Sequence, residues 1–311
     1  MGKAIREVYG EALAKYGKDD ERIVALDADL SGSTKSAIFG KACPERFLNV
    51  GIAESNMVGM AAGLASVGKI PFVNTFTVFL TTLGLCAARA FGSYSQLPIK
   101  FAGAYGGMSD AFDGPSHHAL EDIAVMRSLA NMQVFVPCDA VQTEWLVKYA
   151  IDTPKPIYLR LSRDKFKDLY TSETEFAPGK GIVVREGTDI TVIACGLMVG
   201  NAIDAAEELA KEGISVRVVD MFSIKPIDEA LIVRCAEETG AIVSAEEHNI
   251  YGGLGSAVAE VLPKHGCGVT QGFVGVNDCH GECGPYKKLL AKYGLDANAI
   301  ANKVRETLAK K

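Results

Sequence analysis

The sequence lacks the features that mark several large classes of protein. Lysine and arginine (32 residues) are outnumbered by aspartate and glutamate (38), which leaves a net charge of −6. That charge argues against a protein whose main partner is a nucleic acid or an anionic membrane surface. No glycine-rich phosphate loop ending in Lys-Ser or Lys-Thr is present. The remaining composition, 48% hydrophobic and 23% charged, is that of an ordinary globular protein.

Long apolar segments are also missing. The longest charge-free stretch lies between Lys69 and Arg89, and it is interrupted by Pro71, Asn74 and Gly84. A strand followed by a helix fits this stretch better than a membrane span. The N-terminus is charged and has no apolar signal sequence, and the eight cysteines follow no regular spacing. We therefore expect a cytoplasmic protein with reduced thiols.

Short apolar runs alternate with helical patterns along the whole chain, which predicts an α/β fold with mostly parallel sheets covered by helices on both faces. A charged, polar stretch over 164–178 separates two such units and indicates a linker. We predict a first domain over 1–170, a linker over 171–186 and a second domain over 187–311.

Two motifs suggest functions that their details do not support. Gly253-Leu254-Gly255 follows a predicted strand and opens a predicted helix, but it lacks the third glycine of a dinucleotide-binding turn. Cys279-His280-Gly281-Glu282-Cys283 contains metal-ligating residue types, but neighbouring ligands on an extended chain point to opposite sides. We expect a tight turn at the first motif and no metal site at the second.

A second group of residues is better suited to catalysis. Glu54 lies between a predicted buried strand and an apolar helix, where a carboxylate must be hydrogen-bonded or protonated; the alternative is an exposed glutamate favoured by the helix dipole. The loop ending in His117 and His118 offers imidazoles for proton transfer, or only a pair of surface histidines. Phe76 and Phe79 fit an aromatic binding surface or simple core packing.

Together these segments resemble the transketolase family of thiamine diphosphate enzymes. The first-half motifs are Val50-Gly51-Ile52-Ala53-Glu54, Asn74-Thr75-Phe76-Thr77-Val78-Phe79, Asp113-Gly114-Pro115-Ser116-His117 and Leu161-Ser162-Arg163. The second-half motifs are Gly196-Leu197-Met198-Val199, Lys225-Pro226-Ile227-Asp228 and Glu246-Glu247-His248. The resemblance covers essentially the whole chain, and it implies a pyrimidine-binding domain followed by a transketolase C-terminal domain.

The resemblance also implies how the cofactor is held. Glu54 would hydrogen-bond a ring nitrogen of the cofactor's aminopyrimidine, and Phe76 and Phe79 would pack on the face of that ring. The Gly-Asp-Gly motif that marks the diphosphate and Mg²⁺ site in this family is absent here. The resemblance therefore implies a split enzyme, in which a separate N-terminal subunit supplies the Mg²⁺ ligands.

For the substrate, the resemblance implies ketose and aldose phosphates that exchange a two-carbon ketol unit. His117 would exchange protons with the sugar, Arg6, Ser33 and Arg163 would bind the sugar phosphate, and Asp113 would contact a hydroxyl group. One position departs from the family pattern, because Tyr105 stands where transketolases commonly have a histidine. This departure leaves the preferred sugar open.

We also expect this chain to associate with other chains. The small-residue helix around Ala61-Ala62-Gly63 would allow close approach of another chain, and we expect a homodimer of this chain and a heterotetramer with its partner. Two other interpretations remain, the beta subunit of a thiamine-dependent 2-oxo acid dehydrogenase and a non-catalytic regulatory relative. Deoxyxylulose phosphate synthase is a further thiamine enzyme with a similar Gly-Ile-Ala-Glu segment, although it is normally one longer chain.

Overall fold

Helices and strands alternate along the chain in a computed structural model that describes residues 2–311. The strands are β1 (Ile23–Asp27), β2 (Phe47–Asn49), β3 (Ile70–Phe76), β4 (Lys100–Ala104), β5 (Gln133–Phe135), β6 (Ile157–Leu161), β7 (Ile182–Arg185), β8 (Ile190–Ala194), β9 (Val216–Asp220), β10 (Ser223–Lys225), β11 (Ala241–Asn249) and β12 (Thr270–Val276).

The helices, in chain order, are α1 (Ile5–Asp19), α2 (Ser31–Thr34), α3 (Ser36–Ala42), α4 (Glu54–Ser66), α5 (Thr77–Thr82), α6 (Leu85–Ala87), α7 (Asp122–Ser128), α8 (Ala140–Asp152), α9 (Leu197–Ala210), α10 (Glu229–Thr239), α11 (Leu254–Lys264), α12 (Tyr286–Lys292) and α13 (Ala297–Leu308). A 3-10 turn spans Pro44–Arg46, and a π-helical segment spans Ala88–Tyr94.

The first sheet has the strand order β10-β5-β6-β4-β3-β1-β2. All its neighbours are parallel except β10, which runs antiparallel to β5. Every residue of β1, β3, β4 and β6 is buried, because helices cover both faces. Helices α1 and α8 pack on one face, and α4 and α7 pack on the other.

The second sheet has the order β12-β11-β8-β9-β7, with only β7 antiparallel to its neighbour. Helices α9 and α13 cover one face, while α10 and α11 cover the other. Aspartates begin three of the longer helices: the carboxylates of Asp139, Asp228 and Asp296 accept backbone N–H groups of α8, α10 and α13. The predicted α/β fold with two mostly parallel sheets is confirmed.

The predicted linker is too long at its C-terminal end. The stretch 164–178 contains no helix or strand, but Ile182–Arg185 of the predicted linker 171–186 forms β7 and pairs with β9. The second half also contributes a strand to the first sheet, since Ser223–Lys225 (β10) forms its edge strand beside β5. Within residues 2–311, no helix has both the length and the apolar composition that crossing a bilayer requires.

Candidate active site

The residues selected from the sequence gather at one edge of the first sheet. Parallel strands carry their carboxyl ends to a common edge, where ligands bind in open α/β sheets. Ser33 follows β1, Glu54 follows β2, Phe76 ends β3, and Arg163 follows β6. Asp113 and His117 lie in the loop after β4, Phe79 lies in α5 directly after β3, and Arg6 comes from the first turn of α1. The sheet topology therefore places all eight residues on one side of the domain.

An aromatic cluster forms the centre of this edge. The rings of Phe76 and Phe79 are stacked, with centroids 5.8 Å apart and planes inclined by 19°. The imidazole of His117 lies edge-on to both, at 6.0 Å from Phe76 and 5.3 Å from Phe79. Tyr105 completes the cluster with its ring centroid 4.4 Å from that of Phe76. The two phenylalanines are thus not merely core residues, since a half-buried imidazole packs against them.

Glu54 begins α4 and is buried, with 3% of its surface exposed. The alternative of an exposed glutamate is therefore not what the structure shows. Its one hydrogen-bond partner within residues 2–311 is the hydroxyl of Thr75, at 3.3 Å from Oε1. Thr75 precedes Phe76 in β3, so the same strand carries the partner of the carboxylate and one of the stacked rings.

Two guanidinium groups flank Tyr105. Arg6 Nη1 donates to the Ser33 carbonyl oxygen at 2.7 Å and to the Tyr105 hydroxyl at 2.5 Å. The guanidinium carbons of Arg6 and Arg163 lie 5.0 Å and 5.4 Å from the centroid of the Tyr105 ring. Tyr105 itself is buried and adopts a left-handed backbone conformation with φ of 62°. This arrangement gathers two positive charges beside the aromatic cluster and suits an anionic group.

Asp110 is a site residue that sequence reasoning missed. Its Oδ1 pairs with Arg163 Nη1 at 3.0 Å, and its buried Oδ2 has no hydrogen-bond partner within residues 2–311. Burial and the nearby charge of Asp113 raise the pKa of Asp110 to about 6, against the opposing effects of Arg163 and His117. Asp113 is exposed. In the sequence, only the position of Asp110 three residues before Asp113 could have pointed to it as a site residue.

His118, the neighbour of His117, turns the other way. Its ring is buried, and burial together with His117 lowers its pKa. The backbone of Gly281 lies so close to this ring that a Cβ atom added there would be 2.3 Å from His118 Nδ1. The ring therefore packs against the Cys279–Cys283 segment of the second domain. The two adjacent histidines therefore differ: His117 packs against the aromatic cluster, and His118 packs between the domains.

The residues present fit a heteroaromatic ring better than a metal ion. The stacked phenylalanines offer an apolar surface, and the buried Glu54 carboxylate at the same edge of the sheet has a single hydroxyl partner among the described residues. Across residues 2–311, no three His, Cys, Asp or Glu side chains converge as a metal site requires. The Cys279-His280-Gly281-Glu282-Cys283 motif is included in that statement.

Comparison with known proteins identifies the class to which this fold and site belong. A family model for the transketolase pyrimidine binding domain matches residues 1–168, and one for the transketolase C-terminal domain matches residues 179–300. The chain therefore belongs to the transketolase family, and the resemblance found from its motifs is confirmed. Enzymes of this family generally use thiamine diphosphate with a divalent metal.

Several similar relatives have nearly the same length as this chain. A putative transketolase C-terminal section from Methanocaldococcus jannaschii is 42% identical over 310 residues, which cover 99% of this chain and 97% of the relative. A 6-deoxy-6-sulfo-D-fructose transketolase subunit from Clostridium sp. (strain MSTE9) is 39% identical over 99% of this chain and 95% of its own. A solved structure described as a split gene transketolase, inactive beta4 tetramer, is 48% identical with a TM-score of 0.91 and covers 99% of both chains.

Proposed function

We propose that this chain is the C-terminal subunit of a split transketolase. It would transfer a two-carbon ketol unit reversibly between ketose and aldose phosphates, together with a separate N-terminal subunit that binds the diphosphate of thiamine diphosphate through Mg²⁺. The observation that carries the proposal is a buried glutamate, Glu54, whose hydroxyl partner Thr75 precedes Phe76, one of the two stacked phenylalanines, in β3. Relatives of nearly equal length that are named as transketolase sections or subunits support it.

The cofactor side of the site depends on Glu54. Thiamine diphosphate, when bound, supplies the carbon nucleophile that takes up and releases the two-carbon unit. Glu54 would hold a proton at a ring nitrogen of the pyrimidine, since its carboxyl group has only the Thr75 hydroxyl as partner among the described residues. Phe76 and Phe79 would pack on the ring face and exclude water from it. Each of these roles uses a group that the fold already buries or half-buries.

The substrate side uses the charged residues at the same edge. Arg6 and Arg163 would bind the phosphate of the sugar, because a guanidinium fork matches its oxygens. Ser33 lies beside Arg6 and would add a hydroxyl contact. His117, edge-on to the two phenylalanines, would give and take protons at the sugar oxygens. Asp113 is exposed at the mouth of the site, where it would contact a substrate hydroxyl.

Two anionic groups, a phosphate and a sulfonate, are candidates for the charged end of the sugar substrate. One relative is named for a sulfo sugar and another for a sugar phosphate, so the family includes subunits named for either kind of anion. Two arginines suit either anion, and we propose the phosphate as the substrate of this chain. Tyr105 contacts Arg6 directly, which makes it the residue through which the preferred sugar would be set.

We propose that this chain acts in the cytoplasm and forms a homodimer within a heterotetramer. Exposed apolar side chains on the first domain support this assembly. Ile52, Val67, Leu83 and Tyr94 are between 58% and 84% exposed, and they lie in the π-helical segment and in the loops that adjoin α4 and α5. A covered subunit interface would remove such side chains from water. The related split structure, described as an inactive beta4 tetramer, supports self-association without the partner.

Reconstitution tests the proposal. The chain is mixed with a diphosphate-binding N-terminal subunit, thiamine diphosphate and Mg²⁺, and assayed with xylulose phosphate and ribose phosphate. We expect ketol transfer that Glu54→Ala and Glu54→Gln abolish, while Glu21→Ala, an exposed position at the opposite edge of the sheet, retains it. Decarboxylation of pyruvate in place of transfer would instead support a 2-oxo acid dehydrogenase subunit. No reaction with either substrate would support a non-catalytic relative.

A further inference from the structure

The loop after β4 carries four residues of the site, yet much of what holds it comes from the second domain. This loop, residues 105–120, contains Tyr105, Asp110, Asp113 and His117. Its two ends are joined by reciprocal hydrogen bonds between the backbones of Gly107 and Ala119, at 3.0 Å and 2.9 Å. The loop is therefore a closed unit whose orientation depends on what it rests on.

The second domain forms hydrogen bonds with this loop near its beginning, in its middle and at its end. The Met108 N–H donates to Glu247 Oε1 at 2.7 Å. The Ala111 carbonyl oxygen accepts from the backbone N–H of Gly284 at 3.1 Å, and the Leu120 carbonyl oxygen accepts from that of Asn249 at 2.8 Å. Of these three contacts, only the first uses a side chain of the second domain, and it can be removed by substitution.

The environment of Glu247 shows how closely the loop is fitted to its carboxyl group. Gly107 has φ of 70°, and a Cβ atom at that position would lie 2.3 Å from the Glu247 carboxyl carbon. A side chain there is excluded both by conformation and by space. The backbone of the loop thus lies directly on the carboxyl group of a residue that is only 4% exposed.

A second residue fixes the position of Glu247 relative to the loop. Arg160 in β6 donates from Nη2 to the carbonyl oxygens of Glu247, at 2.8 Å, and Ala119, at 3.2 Å. It is held in turn by Asp122, at 2.7 Å from Nε. Placing a carboxyl group in such a dry location costs free energy, and burial accordingly raises the pKa of Glu247 to about 7. Glu247 bears this cost of burial although it contacts none of the residues proposed to bind the cofactor.

We propose that Glu247 is a positioning residue, through which the second domain holds the 105–120 loop so that Asp113 and His117 face the sugar phosphate. The part of this inference that concerns the sugar rests on the function proposed above. The part that concerns the loop stands on the contacts of this chain alone. The second domain is then more than a scaffold, since it contributes to the substrate side of the site without touching the substrate.

Hydrogen–deuterium exchange of the full chain tests the loop contact without any activity. Loss of a hydrogen bond to a carboxyl group should raise exchange in peptides covering 106–120 by about ten-fold in Glu247→Ala. Glu247→Gln keeps an oxygen for Met108 and should exchange like the parent. Glu260→Gln weakens a different contact between the domains, the exposed pair with Arg127, and should leave the loop unchanged.

Three results would overturn the proposal: unchanged loop exchange in Glu247→Ala, equal loss of protection in Glu247→Gln, or a rise spread evenly over the second domain. If Glu247→Ala does not fold, Gly107→Ala opens the same contact from the loop side and should raise exchange in 106–120. An unchanged loop in that variant would also overturn it.

Kinetics of the reconstituted enzyme test the consequence for the sugar. In Glu247→Ala we expect kcat/KM for the sugar phosphate to fall on the order of ten-fold, with the concentration of thiamine diphosphate needed for half-activity unchanged. Glu54 and Phe76 lie on other elements, so a positioning role leaves cofactor binding intact. Equal losses for sugar and cofactor would refute positioning. A parent enzyme without ketol transfer would refute the proposed function while the exchange result still decides the loop contact.

Discussion

Replacing Arg160 with methionine should cost the protein about 3–5 kcal/mol of unfolding free energy. Arg160 and Asp122 form an ion pair in which the side chains are 6% and 0% exposed. Two hydrogen bonds join them, from Nε to Oδ2 at 2.7 Å and from Nη2 to Oδ1 at 3.1 Å. The substitution leaves a carboxylate in the core whose one remaining partner observed in the described residues is the Tyr158 hydroxyl, at 2.7 Å.

The magnitude follows from burial rather than from distance. The pair Arg127–Glu260 has a similar length, 2.6 Å, but the glutamate side chain is 65% exposed. An exposed pair contributes about 0–1 kcal/mol because water and salt screen it. Breaking a buried pair costs several times more, because the remaining charge cannot be rehydrated. Arg160→Met together with Asp122→Asn should therefore be less destabilised than the sum of the two single variants.

Urea unfolding followed by the fluorescence of Trp145, the single tryptophan, provides the assay. Its ring contacts Phe222 at a centroid distance of 5.7 Å, so the signal reports on packing where the second half of the chain meets the first domain. At a denaturant slope of ~3 kcal/mol per molar, the midpoint of Arg160→Met should fall by about 1–1.7 M. Glu260→Gln should shift it by less than ~0.3 M. A shift in Arg160→Met as small as that control would refute the reasoning.

Three further outcomes can be checked. Burial raises the pKa of Glu247 from 4.5 to about 7, so its folded form binds a proton more tightly, and the stability it contributes is present below pH 4.5 and lost as pH rises through 7. Urea midpoints at pH 5 and pH 7.5 should thus fall less with rising pH in Glu247→Gln than in the parent, and a steeper fall would contradict this. Tyr105→Phe removes the 2.5 Å contact to Arg6 and should raise the KM for the sugar phosphate by about 2–10-fold in steady-state assays, whereas an unchanged KM would show that Arg6 needs no support. Gly63 lies inside α4, and apart from the adjacent backbone of that helix no atom of residues 2–311 lies within 4 Å of the position that an alanine methyl group would take there, so Gly63→Ala should stabilise the chain by ~0.5–1 kcal/mol in urea unfolding; a lower midpoint would contradict it.

Strands in the interior of each sheet were predictable because their signal is local. The apolar runs that end at Leu26 and Leu161 belong to strands buried on both faces, and the structure has β1 and β6 there. The sequence Thr270–Val276 contains two glycines and a glutamine, and its composition does not predict a strand. It forms the edge strand β12, which needs a pairing partner on only one side, and its pairing with β11 is a contact between distant parts of the chain.

Within the site, burial separated residues that look alike in the sequence. Asp110 and Asp113 are three positions apart, yet one is 1% exposed and paired with Arg163 while the other faces solvent. His117 and His118 are adjacent, yet only the first reaches the aromatic cluster. Residue type and spacing indicate which groups can do chemistry, but they do not show which of them the chain folds away from water.

The sequence by itself determined the alternation of strands and helices, and with it the edge of the sheet at which Glu54, Phe76 and Arg163 would collect. Hydrophobic periodicity is a local property, and parallel strands present their carboxyl ends on one side whatever their order. Only the tertiary structure decided that Tyr105 would stand between two arginines and that Glu247, from the other domain, would hold the 105–120 loop. Those contacts join positions as much as 139 residues apart, and they depend on how whole sheets pack, which no short window of sequence records.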